Sequence, residues 1–328
     1  MDNNNKPYIR VENLKKYFST KRGMLHAVDD VSFEIRRGET LGLVGESGCG
    51  KSTLGRCLIR LLDSTSGKVL LQNQDGEGYT DVTKVSAREM KELRKRVQIV
   101  FQDPYSCLNP RLSVWELIAE PLIVNSIYDD KAAMRKRIRE LMETVGLAER
   151  LENSYPHELD GGRRQRIGIA RSLALNPEFI VLDEPVSALD VCIQAQVLNL
   201  LNSLQKEFNY TYVFISHNLS VVRDVSDRIA VMYLGQIVEL SEYKELFANP
   251  LHPYTQALLS AIPVAKLDVQ RERIILEGDV PSPIEPPDAC RFAGRCRYAQ
   301  EVCRHGTPPL NEYAPGHFVA CHFAGKLN

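Results

Sequence analysis

No apolar run in this 328-residue chain approaches the roughly 18 residues needed to cross a bilayer, so no membrane span is expected. The opening residues, Met1-Asp2-Asn3-Asn4-Asn5-Lys6, lack the apolar stretch of a secretory signal, which predicts a cytosolic protein. Excess charge is lacking as well. Forty-one Lys and Arg stand against 42 Asp and Glu, and the net charge of −1 excludes a global basic field for nucleic acid or anionic lipid. Two local basic runs, Lys91–Arg96 and Arg135–Arg139, read as solvated helix faces. No internal repeat is evident. Cysteine, by contrast, is plentiful. In the cytosol the eight cysteines are expected as thiols or metal ligands rather than stable disulfides. Four are scattered through the first 192 residues and four crowd between 290 and 321.

Alternating apolar residues predict early strands around Ile9/Val11, Val31/Phe33/Ile35 and Val69/Leu71, with a short apolar strand at Leu41–Val44. A further strand, Val97–Phe101, ends before a break at Asp103-Pro104. Met134, Ile138, Leu141 and Val145 recur at steps of four, three and four, one face of a helix with Asp129 or Asp130 as its cap. Residues 104 to about 160 therefore read as a helical insert between strands. Phe179–Leu182 has the continuous apolar character of a strand buried on both faces. A helix carrying Ile193, Val197, Leu201 and Leu204 follows, then a strand at Tyr212–Ile215. Ile229–Met232 and Ile237–Leu240 flank Leu234-Gly235 as a hairpin. From Asn249-Pro250 onward prolines are frequent and periodicity fades. A second, small domain is expected over about 250–328, too thin in apolar content to hold without a staple.

Chemistry enters at Gly45-Glu46-Ser47-Gly48-Cys49-Gly50-Lys51-Ser52, a complete G-x-x-x-x-G-K-[ST] loop between strand 41–44 and a helix beginning near Thr53. The glycines let the backbone wrap phosphates so that amide N–H groups point inward, and the helix N-terminus adds partial positive charge. Lys51 would neutralise the outer phosphates and the Ser52 hydroxyl would meet Mg²⁺, so the ligand is a nucleoside triphosphate. Strand 179–182 runs into Asp183-Glu184. Beside a phosphate loop the first carboxylate suits Mg²⁺ and the second suits an attacking water. His217, after strand 212–215, can reach a γ-phosphate or orient Glu184. The amide of Gln102 can serve both Mg²⁺ and water.

The order Gly45–Thr53, Gln102, Leu159–Arg166, Asp183-Glu184, Ser187–Asp190 and His217 resembles the ATP-binding subunit of ABC transporters, over residues 1 to about 245. The resemblance implies an α/β P-loop NTPase core with an antiparallel β part near the N-terminus and a helical subdomain at about 103–162. It further implies a head-to-tail dimer holding two ATP molecules, each between one subunit's phosphate loop and the other's signature segment. Phe18 matches the aromatic residue that stacks on adenine, with Tyr17 as the alternative. Gln102 and the insert after it match the lever that couples ATP state to membrane subunits, and Asp190 the residue that speaks across the dimer.

One segment departs from the family. Its signature usually reads Leu-Ser-Gly-Gly-Gln; here it is Leu159-Asp160-Gly161-Gly162-Arg163. An ionised Asp160 cannot donate to a γ-phosphate, and at about 5 Å with an effective dielectric near 20 it repels each unit of phosphate charge by roughly 3 kcal/mol. Arg163 offsets part of this. The site completed by this signature is thus expected to turn over poorly, which favours a heterodimer with a second, related ATPase subunit.

Cys290, Cys296, Cys303 and Cys321 are spaced C-x5-C-x6-C-x17-C. Four thiolates suit tetrahedral zinc or a [4Fe–4S] cluster, and the wide gaps favour the cluster over zinc knuckles. His305, His317 and His322 rank below them, and Cys57, Cys107 and Cys192 read as incidental. The segments Asn249–Thr255, Leu276–Pro283 and the cysteine run resemble the C-terminal extension of oligopeptide and dipeptide ABC importers, some of which carry a [4Fe–4S] cluster there. That resemblance implies two permease subunits, an external peptide-binding protein and a peripheral place on the cytoplasmic face of the membrane. A regulatory subunit with impaired turnover, or a motor for nickel or another small solute, is the alternative. An ABC-type ATPase of ribosomes or DNA would predict a second cassette, a long coiled-coil insert or a basic face, and the sequence has none of these.

Overall fold

The structure, a computed structural model, describes residues 6–262 and 273–326. Two compact units emerge, one formed by the chain up to Lys84 together with Phe214 onward, the other by Val85–Val213.

The first unit opens with the long strands β1 (Ile9–Thr20) and β2 (Gly23–Ile35), followed by β3 (Thr40–Val44), α1 (Lys51–Leu58), β4 (Ser66–Gln72) and β5 (Tyr79–Asp81). An antiparallel sheet in the order β2-β1-β4-β5 accounts for the early alternation: Ile9, Val11, Val69 and Leu71 are all buried. β3 is buried along its whole length, the behaviour of a strand covered on both faces.

The second unit runs α2 (Ala87–Arg96), β6 (Val97–Val100), α3 (Pro104–Cys107), α4 (Val114–Val124), α5 (Lys131–Thr144), α6 (Gly161–Leu173), β7 (Phe179–Asp183) and α7 (Val191–Phe208). β6 and β7 pair in parallel. Local side chains set the helix starts, as cap chemistry requires. Ser86 and Ser113 form capping boxes with Glu89 and Glu116, and Asp130 accepts from the N–H groups of Ala132 and Ala133. Met134, Ile138 and Leu141 are buried on α5, as their spacing predicts. The Asp103-Pro104 break is a cap in its own right, since the Asp103 carboxylate accepts from Tyr105 N–H at the start of α3.

β8 (Thr211–Ser216) carries the chain back into the first unit, which continues with α8 (Leu219–Val225), β9 (Arg228–Tyr233), β10 (Gln236–Glu242), α9 (Tyr243–Ala248), α10 (Pro253–Ser260), β11 (Asn311–Ala314) and β12 (His317–Val319). β9 lies parallel to β3 and forms the expected hairpin with β10. The described residues beyond 250, expected to stand apart, fall within this unit; residues 263–272 of that stretch lie outside the described residues.

Three observations account for the tail's attachment. β12 pairs antiparallel with β10, and β11 with β12, so the sheet gains two strands from the tail. Tyr233, Tyr254 and Phe292 form an aromatic cluster with ring centroids 4.7–5.4 Å apart. Glu239, fully buried in β10, accepts from the N–H groups of Leu251 (2.7 Å) and His252 (3.0 Å) and lies 2.8 Å from His317 Nε2. A buried carboxylate so satisfied pins the tail to the sheet; without those partners it would be strongly destabilising.

Candidate active site

The phosphate loop follows from its glycines. Gly45, Gly48 and Gly50 all have positive φ, and Gly50, at +104°, is the residue from which α1 springs. A Cβ at Gly50 would run into the carbonyl oxygen of Ala27, and one at Gly45 into that of Met232, so no other residue fits these two positions. Lys51 is 5% exposed and its Nζ donates to the carbonyls of Gly45 (2.8 Å) and Glu46 (2.9 Å), which centres the ammonium beneath the loop. Ser52 and Thr53 occupy the next positions of the first turn of α1. The Cys49 thiol is buried and burial pushes its pKa up, in keeping with a small packing residue rather than a reactive one.

One loop amide behaves differently from expectation. The Glu46 N–H donates to Tyr254 Oη at 2.8 Å rather than toward the centre of the loop. The Glu46 carboxylate is also taken, because Arg295 Nη1 and Nη2 reach its two oxygens at 2.8 and 3.2 Å. Neither partner has a signal in the sequence that joins it to the loop.

Phe18 and Tyr17 sit at the end of β1, opposite Leu25 and His26 of β2. The Tyr17 ring stacks on His26 at 3.9 Å, and its hydroxyl bonds Asp29. Lys16 Nζ lies 4.8 Å from the centre of the Phe18 ring. Asp29 also receives Arg291, whose other amino group bonds the carbonyl of Leu234. Burial alone would raise the Asp29 carboxyl, but the hydrogen bonds from Tyr17 and His26 and the charge of Arg291 hold it below the usual range. His217 lies one residue beyond β8, exposed, in the turn that leads into α8.

In the second unit, β7 ends in Asp183, 2% exposed, and the chain turns sharply at Glu184. Glu184 has φ +48°, a left-handed conformation uncommon outside glycine, and such strain concentrates at functional positions. Gln102 Nε2 donates to its carboxylate at 3.0 Å, so two residues predicted to share the attacking water do meet. Ser187 Oγ braces the same turn by donating to the Glu184 carbonyl at 3.1 Å.

Asp160 is the N-cap of α6: it accepts from Arg163 N–H at 2.8 Å, and Arg163 Nε lies 3.4 Å from its other oxygen. Serine would cap equally well, so the aspartate satisfies the helix and changes only the charge. Gly161 and Gly162 open α6, and a Cβ on Gly162 would come within 2.5 Å of Ile193 of α7. Asp190 caps α7 by accepting from Ile193 N–H at 3.3 Å.

Cys290, Cys296, Cys303 and Cys321 line one small cavity with His322, Phe292 and Tyr298. The space is about 10 Å³, no more than a water occupies. Burial pushes the Cys290 thiol up to about 11, with the neighbouring thiols adding to the shift. Among the described residues no three His, Cys, Asp or Glu side chains are set as ligands of a single metal ion. His317 is engaged by Glu239 and His305 lies 2.8 Å from Glu301; of the three histidines ranked below the cysteines His322 lines the cavity, and His252 lines it as well.

Comparison with known proteins agrees with this geometry. Residues 28–187 match the ABC transporter family and residues 238–303 the oligopeptide/dipeptide transporter C-terminal region. The oligopeptide transport ATP-binding protein AppF of Bacillus subtilis is 51% identical, over 97% of this chain and 98% of its own length. A putative peptide import ATP-binding protein of Brucella ovis is 50% identical, over 96% and 97%. Among solved structures, the ATP-binding cassette MJ0796, a dimer bound to ADP and Pi, superposes with a TM-score of 0.64 at 30% identity, covering 72% of this chain and 98% of that one. CbiO1 of Clostridium perfringens, part of the transporter complex cbiONQ, gives 0.64 at 29% identity over 74% and 91%.

Proposed function

The chain belongs to the ABC transporter ATP-binding proteins, in their oligopeptide branch, and from that premise we propose how its residues turn ATP hydrolysis into peptide uptake. It is the ATPase subunit that powers import of di- or oligopeptides. The phosphate loop built on Gly45 and Gly50, inside a chain half identical to peptide-import ATPases from end to end, is the observation that carries this reading.

Loop amides and Lys51 would bind the β- and γ-phosphates, and Ser52, Gln102 and Asp183 are the residues that would hold Mg²⁺. Glu184 polarises the water, His217 holds the γ-phosphate, and Phe18 or Tyr17 takes the adenine. Asp190 and the Asp160–Arg163 segment face a second ATPase subunit. Two permease subunits span the membrane, and this chain sits at their cytoplasmic face; among its described residues no helix is long and apolar enough to cross a bilayer. An external peptide-binding protein delivers the solute. The test is reconstitution with the permease: ATP-dependent peptide accumulation that vanishes with Glu184→Gln supports the motor. Transport indifferent to that change would make the chain a nucleotide-sensing subunit, the reading that Asp160 favours. Nickel or another solute accumulating in place of peptide would change the cargo and keep the motor.

Asp160 also supports a heterodimer, in which this chain's phosphate loop works against a partner's serine-bearing signature. Brisk, cooperative hydrolysis by this chain alone, no faster with Asp160→Ser, would overturn that. A [4Fe–4S] cluster on Cys290, Cys296, Cys303 and Cys321 completes the proposal. Its support is four thiols converging on one cavity whose lining holds no carboxylate, lysine or arginine, while assembly would part the thiols and deprotonate them. The cluster would serve as a structural clip. About four irons and four sulfides per chain purified without oxygen would establish it, whereas one zinc would replace it.

A further inference from the structure

Glu46 places a carboxylate second in a loop that must hold a polyphosphate. Unpaired, it would repel the ligand and compete for the loop's own cation, Lys51. Neither occurs. Lys51 Nζ bonds two loop carbonyls and not the Glu46 carboxylate, which is forked by Arg295. The Arg295 side chain is 9% exposed and that of Glu46 28%, so water screens this pair far less than a surface pair. Tyr254 fixes the same residue through its backbone N–H, and its ring packs with Tyr233 and Phe292, three residues before Arg295.

The geometry points to Arg295 as a positioning residue for ATP: it neutralises Glu46, holds that carboxylate to the tail and leaves Lys51 to the phosphates. The cysteine-rich segment is then part of the nucleotide site without touching the nucleotide. This rests on the loop being the phosphate site, which Lys51→Ala tests separately; if that variant binds ATP normally, the reading of the loop fails, whatever Arg295 does.

The experiment is a titration of the full chain with fluorescent ATP, ADP and AMP analogues. Arg295→Gln is expected to weaken ATP binding about tenfold, the scale of one poorly screened charge beside a polyphosphate, with a smaller loss for ADP and the least for AMP. Glu46→Gln alone, which leaves the Arg295 charge uncancelled beside the loop, is expected to tighten ATP binding several-fold. Combined with Arg295→Gln, it restores affinity to within about twofold. That rescue separates charge neutralisation from damage passed through Cys296, which removal of Glu46 would not repair. Equal losses in both single variants without rescue, or one loss for all three nucleotides, would overturn the inference. Should Arg295→Gln fail to fold, Arg295→Lys carries the test: charge kept, ATP affinity within about threefold of the parent, and a tenfold loss would sink the idea.

Discussion

Two acidic residues stand where this chain handles triphosphate, and they are treated differently. Glu46, in the phosphate loop, is paired with an arginine 249 residues away whose side chain is 9% exposed. Asp160, in the signature segment, is paired among the described residues with Arg163 of its own helix, and the two side chains are 58% and 48% exposed. A largely buried pair keeps its charge cancelled, whereas an exposed one is solvated and screened, and contributes little. The loop carboxylate is therefore cancelled in place, while on the signature side the Asp160 carboxylate stays exposed to solvent beside Arg163. That asymmetry is what a subunit built to work beside a different partner would need.

The comparison breaks most directly at Glu184. In the assembled transporter Glu184→Gln should lower phosphate release by about 10³-fold, with nucleotide binding retained, because the loop side is left intact. If binding fell as far as turnover, the two halves would not be separable.

The tail that supports the loop carries a buried neutral imidazole, and pH exposes it. Burial lowers His252 to about 4 from the usual 6.5, the nearby Glu239 opposing only in part. Below about pH 6.5 the unfolded chain takes up a proton that the folded chain refuses. The stability contributed by the neutral form is thus present above pH 6.5 and is lost as pH falls toward 4, about 3 kcal/mol in all. Denaturant unfolding at stepped pH should show that slope, and His252→Gln should flatten it.

A smaller effect sharpens the other side. Asp160→Ser should raise hydrolysis by the chain on its own about tenfold, and Asp160→Asn nearly as much, since both remove the charge and keep a cap. Smallest of all is the difference in salt response. Raising ionic strength from about 0.05 to 0.5 M should erode the Asp160→Ser gain by half or more, yet leave the Arg295→Gln loss almost unchanged. Equal salt responses would mean the two acids are not distinguished by burial.

Much of the chemistry was legible because it is written locally. Gly45–Ser52 declares itself within one short window, and the helix cap at Asp130 is one of the two that the residues before the periodic run offer. Contacts across the chain were not. Glu239 lies in an apolar strand and nothing nearby marks it as the acceptor of two tail amides. Proline-rich, aperiodic sequence after 250 hid the addition of β12 to β10, because a three-residue strand leaves no period to read. The Glu46 N–H, expected among the inward amides, went to Tyr254 for the same reason: the partner is 208 residues distant.

The separation between Glu46 and Arg295 also fixes an order in time. At about 5–20 residues per second, a ribosome releases the loop some 12 to 50 s before it makes the arginine that neutralises it. Throughout that interval the nascent chain carries the glycines, Lys51 and a carboxylate whose partner has not yet been made. Full affinity for ATP is thereby deferred until Arg295 has been made, and a chain broken off before residue 295 would bind ATP at least about tenfold more weakly.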